Sequence, residues 1–180
     1  YGVMADNGTP VVSLIANRIR QNPMDFGNST TFAVTCNVPD IARQSEQLLR
    51  LVNYWGMGEI EWMFDPKSGQ YKFLEINTRA WKWHTISNQL GFSFIGTMID
   101  VLNGNETYQE KTPAANKVGW VERLTDWTVI IKEVLHHRMR LSSAVQTYKL
   151  PKEYAVWSFR DPLPCIMYIL LSPILYILRY

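Results

Sequence analysis

The sequence predicts an α+β fold: a mostly antiparallel sheet with helices packed on one side of it. Three observations carry this expectation. Residues 56–84 read as two strands joined by a tight turn. Several short runs rich in Val, Ile and Thr precede them. Between these runs lies a stretch whose apolar residues recur at helical spacing.

Taken in order, Gly2–Ala5 reads as the end of a strand. Asp6-Asn7-Gly8 is a turn, since Asn and Gly tolerate positive φ. Val11–Arg20 is a second strand, ending with Arg18 and Arg20 on one face. Residues 23–30 carry turn formers, and Thr31–Cys36 is a β-branched strand. Pro39-Asp40 opens a helix with Asp40 as N-cap. Its inner face is Ile41, Ser45, Leu48, Leu49, Val52 and Trp55, and Gly56 is its terminating glycine.

The hairpin strands follow, Glu59–Phe64 and Gln70–Asn77. Helices are expected at Thr85–Leu90 and Ser93–Leu102, the second packing through Ile95, Met98, Ile99 and Leu102 before Gly104. Residues 105–116 read as a connecting loop and Lys117–Glu122 as a short strand. Thr125-Asp126 caps a helix containing Val129, Ile130, Val134 and Leu135, which ends in the basic His136-His137-Arg138. Lys152–Phe159 is a last strand.

Composition narrows the class. Apolar residues make up 47% and aromatics 13% of 180 residues, enough for a packed core. A formal net charge of +2 gives no argument for nucleic acid. Cys36 and Cys165 make no disulfide framework, and a reducing cytoplasm suits them better than secretion. The chain starts at Tyr1 in strand-like sequence without a signal peptide, and is read as a piece of something longer.

The chemistry concentrates in the hairpin. Strict alternation puts Glu59, Glu61 and Met63 on one face of the first strand, with Ile60, Trp62 and Phe64 on the other. In the second strand it groups Tyr71, Phe73, Glu75 and Asn77. Folding the hairpin brings Glu61 opposite Glu75 and Asn77, with Arg79 just beyond. Crowded carboxylates need a cation or a proton between them, and hard oxygen ligands of this kind suit magnesium. A polar, solvated hairpin face accounts for the same alternation.

Gly-x-Gly-x-x-Glu-aromatic at 56–62, a turn, and Leu-Glu-Ile-Asn-Thr-Arg at 74–79 together resemble the ATP-grasp superfamily. Its members are ATP-dependent ligases and include biotin carboxylase and carbamoyl-phosphate synthetase. The resemblance covers most of residues 1 to 164 and is tightest over 40–104. It implies the C-terminal subdomain of an ATP-grasp fold and a carbon–nitrogen or thioester-forming ligase. Such an enzyme takes ATP, a small carboxylate and an amine or thiol, and works through an acyl phosphate. It implies Mg2+, with Mn2+ as a substitute, held by Glu61, Glu75 and Asn77. Arg79 matches the arginine that steadies acceptor or acyl-phosphate oxygens. Arg18 and Arg20 lie where such proteins place basic groups near the nucleotide phosphates or the substrate.

Two departures are visible. Trp83 stands where biotin carboxylase has a glutamate that acts on bicarbonate, so a bicarbonate-using carboxylase is disfavoured. The preceding half of the family domain, with its glycine-rich flap, is not in these residues. By itself this stretch is expected to bind ATP poorly and not to turn over.

The remaining polar and aromatic residues read as structure. Glu59 has no counterpart in the family and reads as a solvated charge. Trp62, Trp81 and Trp83 read as core or as a substrate wall. His84, His136 and His137 lack zinc spacing, and Cys36 reads as a buried strand residue. Residues 162–178 carry no charge. They read as a helix packed on the domain, a membrane-interface anchor, or the start of a longer span; Tyr168, Tyr176 and Tyr180 on one helical face suit an interface, while Pro173 opposes a straight helix. The expected divisions are a catalytic core (1–104, with the hairpin at 56–84), an extension (105–162) and an apolar tail (163–180). The expected location is the cytoplasm, with 163–180 at the inner face of the membrane under the anchor reading. The rival from another class is a non-catalytic nucleotide-binding or membrane-associated interaction module that keeps the fold.

Overall fold

The computed structural model describes residues 1–27, 29–105 and 117–179, with side chains of the last helix as far as Ile174. The expected loop at 105–116 falls, after Asn105, outside the described residues, as do Asn28 and Tyr180 and the side chain of Tyr176.

The strands are β1 (Gly2–Asp6), β2 (Thr9–Asn22), β3 (Ser29–Cys36), β4 (Gly56–Asp65), β5 (Gln70–Asn77), β6 (Gly119–Val121) and β7 (Lys152–Tyr154). They form one seven-stranded sheet in the order β5-β4-β1-β2-β3-β6-β7. Every pairing is antiparallel except β6 with β7. The fold is therefore α+β with a mostly antiparallel sheet. The last strand stops at Tyr154 rather than Phe159.

Helices lie on both faces, not one. In β1, Met4 points to one side and Val3 and Ala5 to the other. Val3, Ala5, Ile15 and Ile60 meet Ile41 and Leu49 of α1 (Pro39–Leu51). Met4, Val12, Leu14 and Met57 meet Trp81, Trp83, Ile86 of a 3-10 helix (His84–Leu90), and Phe94 of α2 (Phe94–Leu102). Two alternating apolar sets explain why Gly2–Ala5 of β1 are all buried: this inner strand has no solvent face.

Helix ends follow local chemistry, with some reassignments. The α1 N-cap is Val38, because Pro39 takes the first helical position, where its missing N–H costs nothing; Asp40 sits in the first turn and pairs with Arg43 at 3.2 Å. Its C-terminal turn uses Asn53 at φ 47, not Gly56. Tyr54 N donates to Leu49 O at 2.9 Å and Asn53 N to Arg50 O at 3.2 Å, the paired bonds of a Schellman end. Val52 and Trp55 lie past the helix and are exposed.

In α2 the packed residues are Phe94, Met98 and Val101, while Ile95, Ile99 and Leu102 face outward. Ser93 caps it through Gly96 N at 3.1 Å. For α3 (Arg123–Leu135) the cap is Glu122, whose carboxylate accepts from Leu124 N and Thr125 N. A further helix, α4 (Leu141–Thr147), has no clear sequence signal. The last helix, α5 (Leu163–Arg179), runs through Pro173.

Asp126 does not cap α3; it is fully buried on the inner face with Val129, Ile130 and Glu133. There it meets Arg20, 2% exposed, in a two-pronged ion pair with Nε and Nη2 each 2.8 Å from a carboxylate oxygen. Thr31 Oγ1 (2.8 Å) and Tyr148 Oη (2.7 Å) also donate to Asp126. Arg20 Nη2 reaches Thr147 Oγ1 at 3.0 Å, and its guanidinium lies 4.4 Å from the Phe32 ring centre. Burial and the Asp126 charge push the Tyr148 phenol far above its usual value, so it remains a donor.

Breaking such a pair strands a buried charge. Asp126→Ala should cost about 3–5 kcal/mol in urea denaturation. The double replacement Arg20→Met with Asp126→Leu should recover part of that loss, because it leaves no unpaired charge behind.

Candidate metal and nucleotide site

The hairpin of β4 and β5 closes through Asp65, whose carboxylate accepts from Lys67 N (3.0 Å) and Ser68 Oγ (2.7 Å), and through Gly69 at φ 67. Glu59 pairs with Asn77, Ile60 with Ile76 and Glu61 with Glu75. The register then slips. Trp62 pairs with Phe73, leaving Leu74 unopposed as a β-bulge.

The bulge re-sorts the faces. Tyr71 and Phe73 do not share a side with Glu75 and Asn77, as unbroken alternation requires. They join Phe64 and Trp62, with ring centres 5.2 Å and 5.8 Å apart. Trp62 further donates to Ser45 Oγ of α1 at 3.0 Å. The aromatic side chains of the hairpin strands are thereby kept off the carboxylate face.

On that face Glu61, Glu75 and Asn77 converge. Asn77 Nδ2 donates to Glu75 Oε1 at 3.0 Å and to Glu61 Oε1 at 3.3 Å. Arg18 Nη2 reaches Glu61 Oε1 at 2.9 Å, and its Nη1 donates to Gln21 at 3.4 Å. Two carboxylates directly opposite across strands repel; the Asn77 amide and the Arg18 charge offset that cost. Two carboxylates and an amide oxygen on one face are the hard donor set magnesium takes, so these residues fit the ion. Among the described residues no cluster of three or more His, Cys, Asp or Glu side chains could hold a metal.

The structure does not bring Arg20 to this group. A second bulge is responsible: Arg18 pairs with Ala33 and Arg20 with Phe32, leaving Ile19 unopposed. Arg18 and Arg20 therefore face opposite sides of the sheet. Arg20, committed to Asp126 and nearly inaccessible, is not available to a nucleotide. Arg79 lies just past β5, exposed, with Nη1 3.3 Å from Ala80 O. It is not bonded to Glu75 or Asn77.

Glu59 is not a solvated charge. It is 6% exposed, on the face of Glu61 and beside Trp83. Burial first, and then the Glu61 charge, push its carboxyl above the usual range; Arg18 and a hydrogen bond from Trp83 pull the other way. Trp81 and Trp83 are core, edge to face at 5.3 Å. Gly2 is needed against them, since a Cβ there would run into the Trp81 ring. Between β2 and β4, beyond Tyr1, a cleft of about 360 Å3 is lined by Arg18, Glu59, Glu61, Trp62 and Trp83 among others.

The other candidates stay structural. His84 Nδ1 donates to Trp81 O (2.6 Å), and His136 Nδ1 to Lys132 O (2.7 Å). Burial raises the half-buried Cys36 thiol above its usual value, which disfavours a thiolate nucleophile. Arg20–Asp126 and the buried Glu59 are the features that strand and helix patterns missed. For Asp126 a signal was present: it shares helical spacing with Val129, Ile130 and Glu133, so an acid on the apolar stripe needed a buried partner.

Residues 1–109 match the family model of the carbamoyl-phosphate synthase L chain ATP-binding domain. The chain belongs to this family. The carbamoyl-phosphate synthase-type ATP-binding domain is an ATP-grasp domain, so the carboxylate hairpin stands in an ATP-grasp framework. Neither the curated proteins nor the solved structures gave a match.

The Arg18–Glu61 pair keeps about a quarter of each side chain exposed (27% and 23%). Solvent screens such a pair, so Arg18→Met should change unfolding free energy by no more than about 1 kcal/mol. The contrast with Asp126→Ala, measured in the same urea titration, separates a site residue from a structural one.

Proposed function

We propose that the chain forms the metal-binding wall of an ATP- and magnesium-dependent ligase that joins a carboxylate to an amine or thiol through an acyl phosphate. The observation that carries this reading is the convergence of Glu61, Glu75 and Asn77 on one face of an ATP-grasp hairpin. Glu61, Glu75 and Asn77 would hold the ion. Magnesium bound there supplies the charge neutralisation that phosphoryl transfer needs.

The remaining residues act by position. Asn77 holds the two carboxylates together ahead of the ion. Arg18 orients Glu61 and adds positive charge at the same edge. Arg79, exposed beside the hairpin, offers a planar fork suited to carboxylate or phosphate oxygens. Trp83 contributes no proton-transfer group, which favours an organic carboxylate over bicarbonate. A non-catalytic interaction module has no need of two opposed carboxylates, whose repulsion it would carry without return. The catalytic core would comprise 1–104 and the extension 105–162, in the cytoplasm, where ATP is.

Two measurements test the reading. In the full-length ligase, Glu75→Ala should abolish ADP release stimulated by amino and carboxylic acid substrates while leaving the far-ultraviolet circular dichroism unchanged; retained turnover rejects the assignment. Glu61→Gln should weaken Mn2+–ATP binding, followed by electron paramagnetic resonance, by at least about tenfold.

A further inference from the structure

α5 is amphipathic the wrong way round. Cys165, Tyr168 and Ser172 recur at helical spacing and are its half-buried side. Cys165 and Tyr168 help line a cavity of about 140 Å3 against Arg123 and Tyr154. Ser172 Oγ donates to Ile169 O within the helix at 2.8 Å. The opposite side carries Leu163, Ile166, Met167, Leu170, Leu171 and Ile174, each between 41% and 63% exposed. A helix normally turns such a stripe inward. Here the less apolar side meets the domain and the aliphatic side is left outward.

The flank has its own pattern. Trp157 and Phe159 stack edge to face at 5.4 Å, and Phe159 is 88% exposed. Arg160 follows, exposed, and makes no ion pair among the described residues. No Asp, Glu, Lys or Arg occurs from 162 to 178.

We propose that α5 lies in the plane of a lipid bilayer surface, with its Leu163–Ile174 stripe among the acyl chains and Trp157, Phe159 and Arg160 at headgroup level. Packing argues for lying in the plane: Cys165, Tyr168 and Ile169 line a cavity together with Arg123 and Tyr154, so one side of the helix stays on the domain. No described helix is long and apolar enough to cross a membrane. Chemistry argues for lipid over a protein partner. A protein interface usually carries about one hydrogen bond per 100–200 Å2 to set its register; this stripe offers no side-chain donor or acceptor. Aromatic and arginine residues bordering an aliphatic stripe are the arrangement an interfacial helix needs.

The test is flotation of the full chain with phosphatidylcholine vesicles, with and without added phosphatidylglycerol. The chain should float with vesicles, and severalfold more with the anionic lipid because of Arg160. The double replacement Met167→Glu with Leu170→Glu should remove flotation, and Leu51→Glu, a control on exposed Leu51 of α1, should not. Circular dichroism checks that each variant is folded. Wild-type chain remaining at the bottom, or equal flotation of the double variant, overturns the proposal. So does a wild-type dimer in light scattering that the double variant dissociates, because the stripe is then a contact between copies. The inference is independent of the ligase reading: vesicle binding requires no ATP, and ADP release requires no vesicles.

Discussion

A buried guanidinium and a buried carboxylate can share a protein interior only when nearly every donor and acceptor around them is met. Arg20 and Asp126 satisfy that constraint with the help of Thr31, Thr147 and Tyr148. Arg20 ties β2 to α3 and α4 more than 100 residues later, and Thr31 joins β3 to the same carboxylate. Removing either partner leaves several kcal/mol of uncompensated charge. That same β2 carries Arg18, two residues earlier, on the other face. The strand that helps hold the C-terminal helices is thus also the strand that supplies a cation to the carboxylate face.

Two β-bulges make this double use possible. The bulge at Ile19 sends Arg18 and Arg20 to opposite sides. The bulge at Leu74 moves Tyr71 and Phe73 onto the α1 side and leaves Glu75 and Asn77 with Glu61. Without it, aromatic and acidic residues would alternate on a single surface. The opposed carboxylates would then stand among the Tyr71 and Phe73 rings. Bulges recur next to functional sites because one extra residue re-aims every side chain after it. Here each separates packed side chains from those on the carboxylate face along one strand.

The outward aliphatic stripe of α5 and the carboxylate face are two commitments of one chain. One places charge where a nucleotide and metal would need it. The other leaves apolar surface that water does not favour, bordered by Trp157, Phe159 and Arg160. Exposed stripes of this extent mark an interaction surface in a folded protein.

Much of the architecture was legible in the residues themselves. Hydrophobic alternation gave the strands, β-propensity and turn chemistry gave the hairpin, and Gly-x-Gly-x-x-Glu with Glu-x-Asn-x-Arg gave the family and named the three side chains, Glu61, Glu75 and Asn77, that the register brings together. What alternation cannot see is an interruption. Nothing in Asn-Arg-Ile-Arg or Phe-Leu-Glu announces a bulge, because a bulge is decided by how the neighbouring strand pairs. The same limit hid which side of α2 is buried, since Ile95 and Phe94 are equally apolar and only the Trp81 wall selects Phe94. It hid the burial of Glu59 and the partner of Asp126. Sequence by itself determined which chemical groups the protein owns and the periods in which they repeat. Tertiary pairing alone decided which of them face one another, because register and burial belong to the contact between elements and not to either element alone.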